Sequence, residues 1–463
     1  MPTTESFFFY DYETFGLNPR EDRIAQFAGI RTDRNFNIIG EPINIYCKPS
    51  IDYLPSPDAI LVTGITLEEA QEKGLTEAEF AKQIHAEFSE PGTCILGYNN
   101  IRFDDEMTRF LFYRTFYDPY AYSWRNGNSR WDLLDVVRAT YALRPEGITW
   151  PKDDAGMPIF KLEELTKANG LEHEKAHDAL SDVYATIALA KLLQEKQPKL
   201  FQYYFEHRRA RQVETLINLA ENRPLLHVSG MFGNHRKNMS VVMPIIYSPL
   251  NKNELITIDL MGDMQPLIEL PADKIRQQLY TKSEDLPEGT SRIPLKGVHI
   301  NRCPILAPMG VLKGVEQEVI DLKHVLENHY TISQHLESIR QKLMSIYSEI
   351  PQYDNNEAGV EALLYAGFFN DQDREQMNQI PHMNGDELLY SEFYFEDPRL
   401  EPLLFLYRAK NHFHTLFEEE QEEFRRYAQA RKTILKALYA PRFKELWELY
   451  KEHPKKRTIL EKI

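Results

Sequence analysis

The sequence predicts an α/β sheet domain, followed by a β-rich region and a helical end. Strand-like and helix-like segments alternate up to about residue 195. Short apolar runs broken by Gly, Pro and Asn continue to about residue 350, and the chain beyond residue 354 has helical periodicity. The 463 residues, 42% of them hydrophobic, suit roughly three domains of about 150 residues each. We place these domains at 1–195, 196–351 and 354–463.

The first predicted strand, FFFYDYE, ends in two acids, Asp11 and Glu13. Residues two apart on a strand point to the same side, so these carboxylates are expected to be neighbours. Such a pair is unfavourable unless a cation or a proton relieves the repulsion. An Asp-x-Glu pair considered alone is, however, most often an ordinary surface feature.

The strands and helices that follow are predicted, in chain order, from the periodicity of apolar residues and from helix-capping residues. The run IAQFAGIRTD is a second strand, and NFNIIGEPINIYCKP continues the sheet by a hairpin. Thr caps start helices at TLEEAQEKG and TEAEFAKQIHAEF, TCILGYNN is a strand with a turn, and DDEMTRFLFYRTF starts a helix. Gly170 ends the helix LEELTKANG, and a long helix, DALSDVYATIALAKLLQEKQP, ends near Pro198. In the C-terminal helical stretch, Pro441 is expected to break or kink the helix.

Further acids and a histidine stand at the ends and starts of these elements. Asp104 and Asp105 follow an apolar strand and a Gly-Asn turn, and His177 precedes Asp182 by five residues. Each has an ordinary structural interpretation: Asp104 as a helix cap, His177 as a surface histidine, and Asp182 as an acid favoured by the helix dipole. Together they indicate a site, because α/β domains build sites where strands end and helices begin.

The residue types in this set favour metal-dependent chemistry. Clustered carboxylates without a cysteine ligand select hard cations such as Mg²⁺ or Mn²⁺. Two such ions about 4 Å apart can activate a water and stabilise the leaving oxygen of a phosphodiester. His177 titrates near neutral pH and is suited to accept the proton of that water. Because five residues turn a helix by about 140°, we expect His177 in the loop before the helix and Asp182 in its first turns.

Long strings of residues carry a resemblance to a known family. The segments YDYETFG, ILGYNNIRFDDE, NSRWDLLDVVRA, LTKANGLEHEKAHDALSDVYATI and LLHVSGMFG resemble the bacterial exodeoxyribonuclease I family of the DEDDh exonuclease superfamily. The likeness is strong to about residue 240 and weaker beyond it. It implies an RNase H-like exonuclease domain with a mixed sheet, an SH3-like β domain and a helical C-terminal domain around a DNA groove.

The same resemblance implies an activity and roles for the site residues. It implies degradation of single-stranded DNA from the 3′ end to 5′-mononucleotides by two-metal-ion hydrolysis, acting in DNA repair and recombination. By resemblance, four acids hold two Mg²⁺ ions, with Mn²⁺ as a substitute: Asp11, Glu13, Asp104 and Asp182. His177 is then the general base and a DNA contact, and Asp105 is a helix-start acid and no ligand.

An aromatic stretch from Phe110 to Trp124 supports a single-stranded substrate, with eight aromatics in 15 residues. Base stacking contributes roughly 1–3 kcal/mol per base and tolerates any sequence. Phe112 and Phe116 have helical spacing and are expected in the core. Three aromatics follow Pro119 outside that helix and are better stacking candidates: Tyr120, Tyr122 and Trp124.

By resemblance, the expected DNA contacts are Arg109, Tyr120, Trp124 and Arg138. Lys161 stands where the family usually has Arg. It keeps the charge but loses the bidentate fork for phosphate, so we expect a weaker contact there. A proofreading or RNA-trimming relative and a non-enzymatic DNA-binding scaffold are the alternatives. The long match outside the acids argues against the first, and four converging carboxylates that repel phosphate argue against the second.

Charge and composition limit the binding partners and the cellular compartment that can be expected for this protein. The net charge of −16 argues against nucleic acid coating the whole surface but permits a local basic groove. The family suggests a further partner, the acidic C-terminal tail of single-stranded DNA-binding protein, with Arg144, Tyr203 and the HRRAR segment at 207–211 as pocket candidates. The separated cysteines Cys47, Cys94 and Cys303, and the lack of a signal peptide or a membrane-length apolar run, favour a cytoplasmic protein. A monomer is the default expectation.

Overall fold

The computed structural model describes residues 5–171, 178–315, 319–349 and 359–462. The chain divides into two units. The first comprises Met1–Ser129, His173–Ile187 and Asp354–Ile463, and the second comprises Arg130–Glu172 and Ala188–Tyr353. The helical C-terminal region therefore belongs to the same unit as the first predicted strands. The domain boundaries at 195 and 351 to 354 stay predictions.

The strands and helices have the following bounds. The strands are β1 Ser6–Thr14, β2 Ile24–Thr32, β3 Ile43–Tyr46, β4 Thr93–Gly97, β5 Ser129–Asp132, β6 Leu225–Val228, β7 Met239–Tyr247, β8 Glu254–Asp259, β9 Leu295–His299 and β10 Ile305–Pro308. The helices are α1 Pro57–Thr63, α2 Leu67–Lys73, α3 Glu77–Ser89, α4 Asp104–Arg114, α5 Leu133–Leu143, α6 Leu162–Ala168, α7 Ala179–Lys196, α8 Pro198–Glu206, α9 Ala210–Glu214, α10 Gln265–Glu269, α11 Ala272–Tyr280, α12 Leu322–Tyr347, α13 Asp371–Met377, α14 Gly385–Tyr390, α15 Leu400–Asn411, α16 Glu418–Leu449 and α17 Pro454–Leu460.

A mixed sheet forms the centre of the first unit. Four strands lie in the order β3-β2-β1-β4, with β1 antiparallel to β2 and parallel to β4. On one face of β1, Phe8, Tyr10 and Tyr12 pack into a core with Phe27 of β2 and Phe80 of α3. The alternation of side chains therefore leaves Asp11 and Glu13 together on the other face of the strand.

Local caps start and stop the predicted helices. The Thr66 side chain accepts a hydrogen bond from the Glu69 amide at the start of α2. Thr76 and Glu79 form a reciprocal capping box at the start of α3. Gly170 follows α6 with a φ of 65°, the left-handed conformation that favours glycine at the end of a helix.

The second unit is built on a separate antiparallel sheet in the order β10-β6-β7-β8-β9. The apolar face of this sheet buries Leu225, Val242, Leu255, Val298 and Leu306 in one cluster. These strands coincide with the short apolar runs that predicted a β-rich middle region. The prediction of that region is therefore confirmed.

The C-terminal helices share a core with α4. Phe110, Tyr113 and Phe116 pack in one cluster with residues such as Leu403 and Tyr407 of α15. This shared core places the C-terminal residues in the first unit.

Pro441 does not break its helix, because α16 continues from Glu418 to Leu449 with Pro441 inside it. The other expected effect of Pro441, a kink, stays a prediction. Both Pro441 and Ala437, whose carbonyl loses its helical partner, are exposed, so water can satisfy that carbonyl. No helix within the described ranges is long and apolar enough to cross a membrane.

Candidate active site

The first two acids of the site lie at the end of β1. Asp11 is opposite Ala28 of β2, and Glu13 is opposite Gln26. The pairing shifts between Glu13 and Thr14, which is a β-bulge. Bulges often redirect a strand beside a functional site, and this one follows directly after the second acid.

The structure brings three of the four predicted acids together. Carboxylate oxygens of Asp11, Glu13 and Asp182 all lie within 4.8 Å of one another. Asp182 projects from the first turn of α7. Asp104 is the first residue of α4 and is only 7% exposed, and its charge reaches Asp11. Two of the four acids therefore stand at helix N-termini, where the helix dipole favours negative charge.

Mutual repulsion is the main electrostatic feature of this cluster. Burial, together with the carboxylates of Asp104, Asp182 and Glu13, raises the pKa of Asp11 well above its usual value. Burial and the charges of Asp182 and Asp178 raise the pKa of Glu13 to about 7. The donor set consists of carboxylate oxygens, which are the ligands that Mg²⁺ and Mn²⁺ prefer. The residues present therefore fit hard divalent cations, whose charge would relieve the repulsion.

His177, the predicted general base, lies outside the described residues. The next residue, Asp178, accepts a hydrogen bond from Nε2 of Gln26 at 3.3 Å. Gln26 is 1% exposed and is the β2 partner of Glu13. Sequence reasoning missed Gln26, although a polar residue within the apolar run IAQFAG was a signal.

Asp105 points away from the acid cluster. It is fully buried and accepts a hydrogen bond from the Tyr10 hydroxyl at 3.1 Å. Tyr10 belongs to the core face of β1, opposite to the face that carries Asp11 and Glu13. This position agrees with the interpretation of Asp105 as a helix-start acid and not a ligand.

The aromatic stretch is partly core and partly surface. Phe112 and Phe116 are fully buried, as predicted. Tyr122 is only 2% exposed and packs against Phe88 and Phe112, so its expected role in stacking on DNA is wrong. Local spacing could not reveal this, because the partner ring of Phe88 comes from α3. Trp124 is 62% exposed.

Tyr120 lies in a cleft that also contains C-terminal residues, and Arg109 packs against its ring. The Arg109 guanidinium carbon is 5.4 Å from the centre of the Tyr120 ring. A cavity of about 480 Å³ is lined by Tyr120 and Trp124 from one segment and by Tyr365 and Phe368 from the other. We call this cavity, lined by residues of 116–125 and 364–378, the aromatic cleft. Sequence reasoning missed its C-terminal wall.

Comparison with known proteins identifies the family. The family models named Exonuclease, Exonuclease I SH3-like domain and Exonuclease I C-terminal domain match residues 8–190, 208–349 and 358–463. The chain belongs to the exodeoxyribonuclease I family. The exodeoxyribonuclease I of Haemophilus influenzae is 51% identical over 461 residues, covering 99% of this chain and 97% of the relative.

Solved structures of exodeoxyribonuclease I agree with this assignment. Exonuclease I of E. coli, crystallised with a dA16 oligonucleotide, matches with a TM-score of 0.94 and 48% identity over 99% of this chain and 98% of that one. A structure of SSB/exonuclease I with the inhibitor CFAM matches with a TM-score of 0.89 and 46% identity over 99% and 98% of the two chains. The predicted family, the enzyme class and the three-part fold, with exonuclease, SH3-like and C-terminal helical domains, are thereby confirmed.

The remaining expected DNA contacts of this exodeoxyribonuclease I family member lie in the second unit. Nη1 of Arg138 is 2.6 Å from Oδ1 of Asp135. The Arg138 guanidinium packs on Gly230, where an added Cβ would lie 2.9 Å from its Cζ. Lys161 is exposed directly before α6. Glycine at position 230 is therefore required for the present position of Arg138.

The pocket candidates for a protein partner also lie in the second unit. Nη2 of Arg144 donates to the Val311 carbonyl at 3.1 Å, and the Tyr203 ring stacks on His207 with 4.2 Å between centres. Arg208 is 8% exposed and is therefore largely unavailable to a ligand. Its neighbours at 209 and 211 are exposed.

Proposed function

We propose that this protein degrades single-stranded DNA from the 3′ end and releases 5′-mononucleotides. The cluster of Asp11, Glu13 and Asp182 oxygens within 4.8 Å carries this proposal, because a binding protein gains nothing from converging carboxylates that repel phosphate. Membership of the exodeoxyribonuclease I family and the dA16 complex of the E. coli relative support the substrate.

The chemistry is assigned to two divalent cations held by four acids. Asp11, Glu13, Asp104 and Asp182 would hold Mg²⁺, with Mn²⁺ as a substitute. Bound there, the ions would lower the pKa of a water and stabilise charge on the scissile phosphate. His177 is proposed to accept the proton of that water. The hydrogen bond from Gln26 to Asp178 supports this by fixing the residue that follows His177.

Substrate binding is assigned to basic and aromatic side chains. Arg109, Arg138 and Lys161 would contact phosphates, and Tyr120 and the exposed Trp124 would stack on bases. His177 is a further proposed contact. Lys161 contributes a point charge without a bidentate fork, so its contact is expected to be weaker than that of an arginine.

A protein partner and a cellular role complete the proposal. The structure of SSB/exonuclease I among the similar structures supports single-stranded DNA-binding protein as a partner. Its acidic tail would bind near Arg144, Tyr203 and the exposed arginines at 209 and 211. We propose a monomer that acts in the cytoplasm in DNA repair and recombination.

A time course with end-labelled substrates tests the function. Single-stranded DNA labelled at either end, duplex DNA and RNA would each be incubated with Mg²⁺ or with EDTA. We expect early release of mononucleotides from the 3′ label of single-stranded DNA, only with the metal. Asp182→Asn serves as the control for a contaminating nuclease. Equal or faster trimming of RNA, or cleavage that persists in EDTA, would contradict the proposal.

A further inference from the structure

Glu106 joins two side chains that come from distant parts of the chain. It lies in the first turn of α4, and its Oε1 forms an ion pair with Nη1 of Arg109, three residues later. Its Oε2 accepts a hydrogen bond from the Tyr365 hydroxyl at 2.5 Å. The carboxylate of Glu106 thus connects α4 to the C-terminal wall of the aromatic cleft.

The Arg109 side chain is held in place by Glu106 and by the Tyr120 ring. Its side chain is 11% exposed, and its guanidinium lies over the Tyr120 ring. Within the described parts of the chain, its Nε has no hydrogen-bond partner. A buried N–H without a partner is unfavourable, and the contacts of Arg109 with Glu106 and with the Tyr120 ring offset that cost.

Tyr365 is fixed at its hydroxyl and open at its ring. The ring packs edge-on against Phe110, with 5.7 Å between centres, yet the residue is 47% exposed. Phe368, three residues later, is 91% exposed, and Trp124 on the opposite wall is 62% exposed. The exposed part of Tyr365 therefore faces a cleft whose aromatics suit base stacking.

We propose that Glu106 is a positioning residue, which sets Arg109 and Tyr365 for binding single-stranded DNA and does not itself contact the DNA. The inference rests on the proposed function. Its physical basis is preorganisation: a long arginine and a tyrosine that are already ordered lose less conformational entropy when the strand binds. A free carboxylate in the cleft would repel phosphate, but this one is paired with Arg109.

A purely structural role for Glu106 predicts a different outcome. If Glu106 only attached the C-terminal region to α4, removing its charge would lower the thermal midpoint. The fraction of active protein would then fall, with KM unchanged. A positioning role instead raises KM and the Kd for DNA more than it lowers kcat.

The test uses two variants, their combination and a matched control. Glu106→Gln removes the charge, and Tyr365→Phe removes only the hydroxyl. Glu422→Gln is the control, because it removes an exposed ion pair to Arg425 with the same three-residue spacing in α16. The Kd of a fluorescent 16-residue oligodeoxythymidylate would be measured in EDTA, and kcat, KM and the thermal midpoint in separate assays.

We expect Glu106→Gln to raise the Kd roughly tenfold, which is the size of a lost hydrogen bond to a charged group. The loss of affinity in the double variant should be smaller than the product of the two single losses, because both changes act on the hydrogen bond between Tyr365 and Glu106. The control should stay within about twofold of the wild type, as exposed pairs contribute little. Losses that multiply in the double variant, or an unchanged Kd, would overturn the inference.

Two further outcomes keep the test decisive. If Glu106→Gln lowers the thermal midpoint, Tyr365→Phe decides alone, and an unchanged Kd for that variant overturns the inference. If the wild-type protein neither binds nor degrades single-stranded DNA, the proposed function fails. If the wild type does both and the variants equal it, only the role of Glu106 fails.

Discussion

Replacing Glu361 with Gln tests the buried charges that hold the C-terminal region in the first unit. Glu361 is 4% exposed, and its Oε2 lies 2.8 Å from Nη2 of Arg23 and 2.8 Å from Nζ of Lys410. Nζ of Lys410 also lies 2.9 Å from Oδ2 of Asp52. Burial raises the pKa of Glu361, but Lys410, Arg23 and other arginines outweigh it and hold the pKa well below its usual range.

The size of the effect follows from burial. Removing one partner of a buried ion pair costs about 3–5 kcal/mol, because the other charge stays buried without compensation. Glutamine keeps the shape of Glu361 and one acceptor oxygen, so the loss is mainly that of charge. At roughly 2–4 °C for each kcal/mol in a large domain, the thermal midpoint should fall by about 6–20 °C.

Thermal unfolding at pH 7.5, followed by circular dichroism and calorimetry, measures this shift. Glu445→Gln is the matched control, because its pair with Arg442, at 2.7 Å, is exposed to solvent and should contribute little to stability. We expect the control to melt within about 4 °C of the wild type, which is less than the fall expected for Glu361→Gln. A Glu361→Gln midpoint equal to that of the control would refute the reasoning, since it would mean that the buried cations need no counter-charge.

Three further predictions concern pH, the metal and the second unit. Burial raises the pKa of Asp52 while Lys410 lowers it most, and the net pKa is lowered as for Glu361. Because the pKa of each carboxyl group is lower in the folded protein than the value of about 4 in the unfolded chain, these groups stabilise the fold above that pH. The free energy of unfolding should therefore fall as the pH is lowered from about 5 to 2, and it should fall less steeply in Glu361→Gln. Urea titrations at several pH values would measure this. Asp182→Asn should bind single-stranded DNA but cleave it roughly 10²- to 10³-fold more slowly. Mg²⁺ should raise the thermal unfolding midpoint of the wild type but not that of the variant. Normal cleavage by the variant would show that Asp182 does not belong to the site. Gly230→Ala should displace the Arg138 guanidinium and raise KM up to roughly tenfold, with a smaller change in kcat. An unchanged KM would show that the present position of Arg138 is not needed for substrate binding.

Several features of this protein could be predicted from the sequence because they depend on local period and local caps. The placement of Asp11 and Glu13 on one face follows from the two-residue repeat of a strand, whatever surrounds it. The start of α3 follows from Thr76, whose side chain satisfies an amide that the helix leaves unpaired. The burial of Phe112 also follows from the helical period.

Only the tertiary structure decided which distant segments meet. The hydrogen bond from Tyr365 to Glu106 joins residues 259 positions apart, and the sequence around either residue does not predict it. Tyr122 is buried by Phe88 of another helix, so its exposure could not be derived from its own spacing. Periodicity reports the face on which a side chain lies, whereas burial and pairing depend on what packs against that face. The sequence alone therefore determined the elements and the residue types of the site, and packing decided which of those residues face one another.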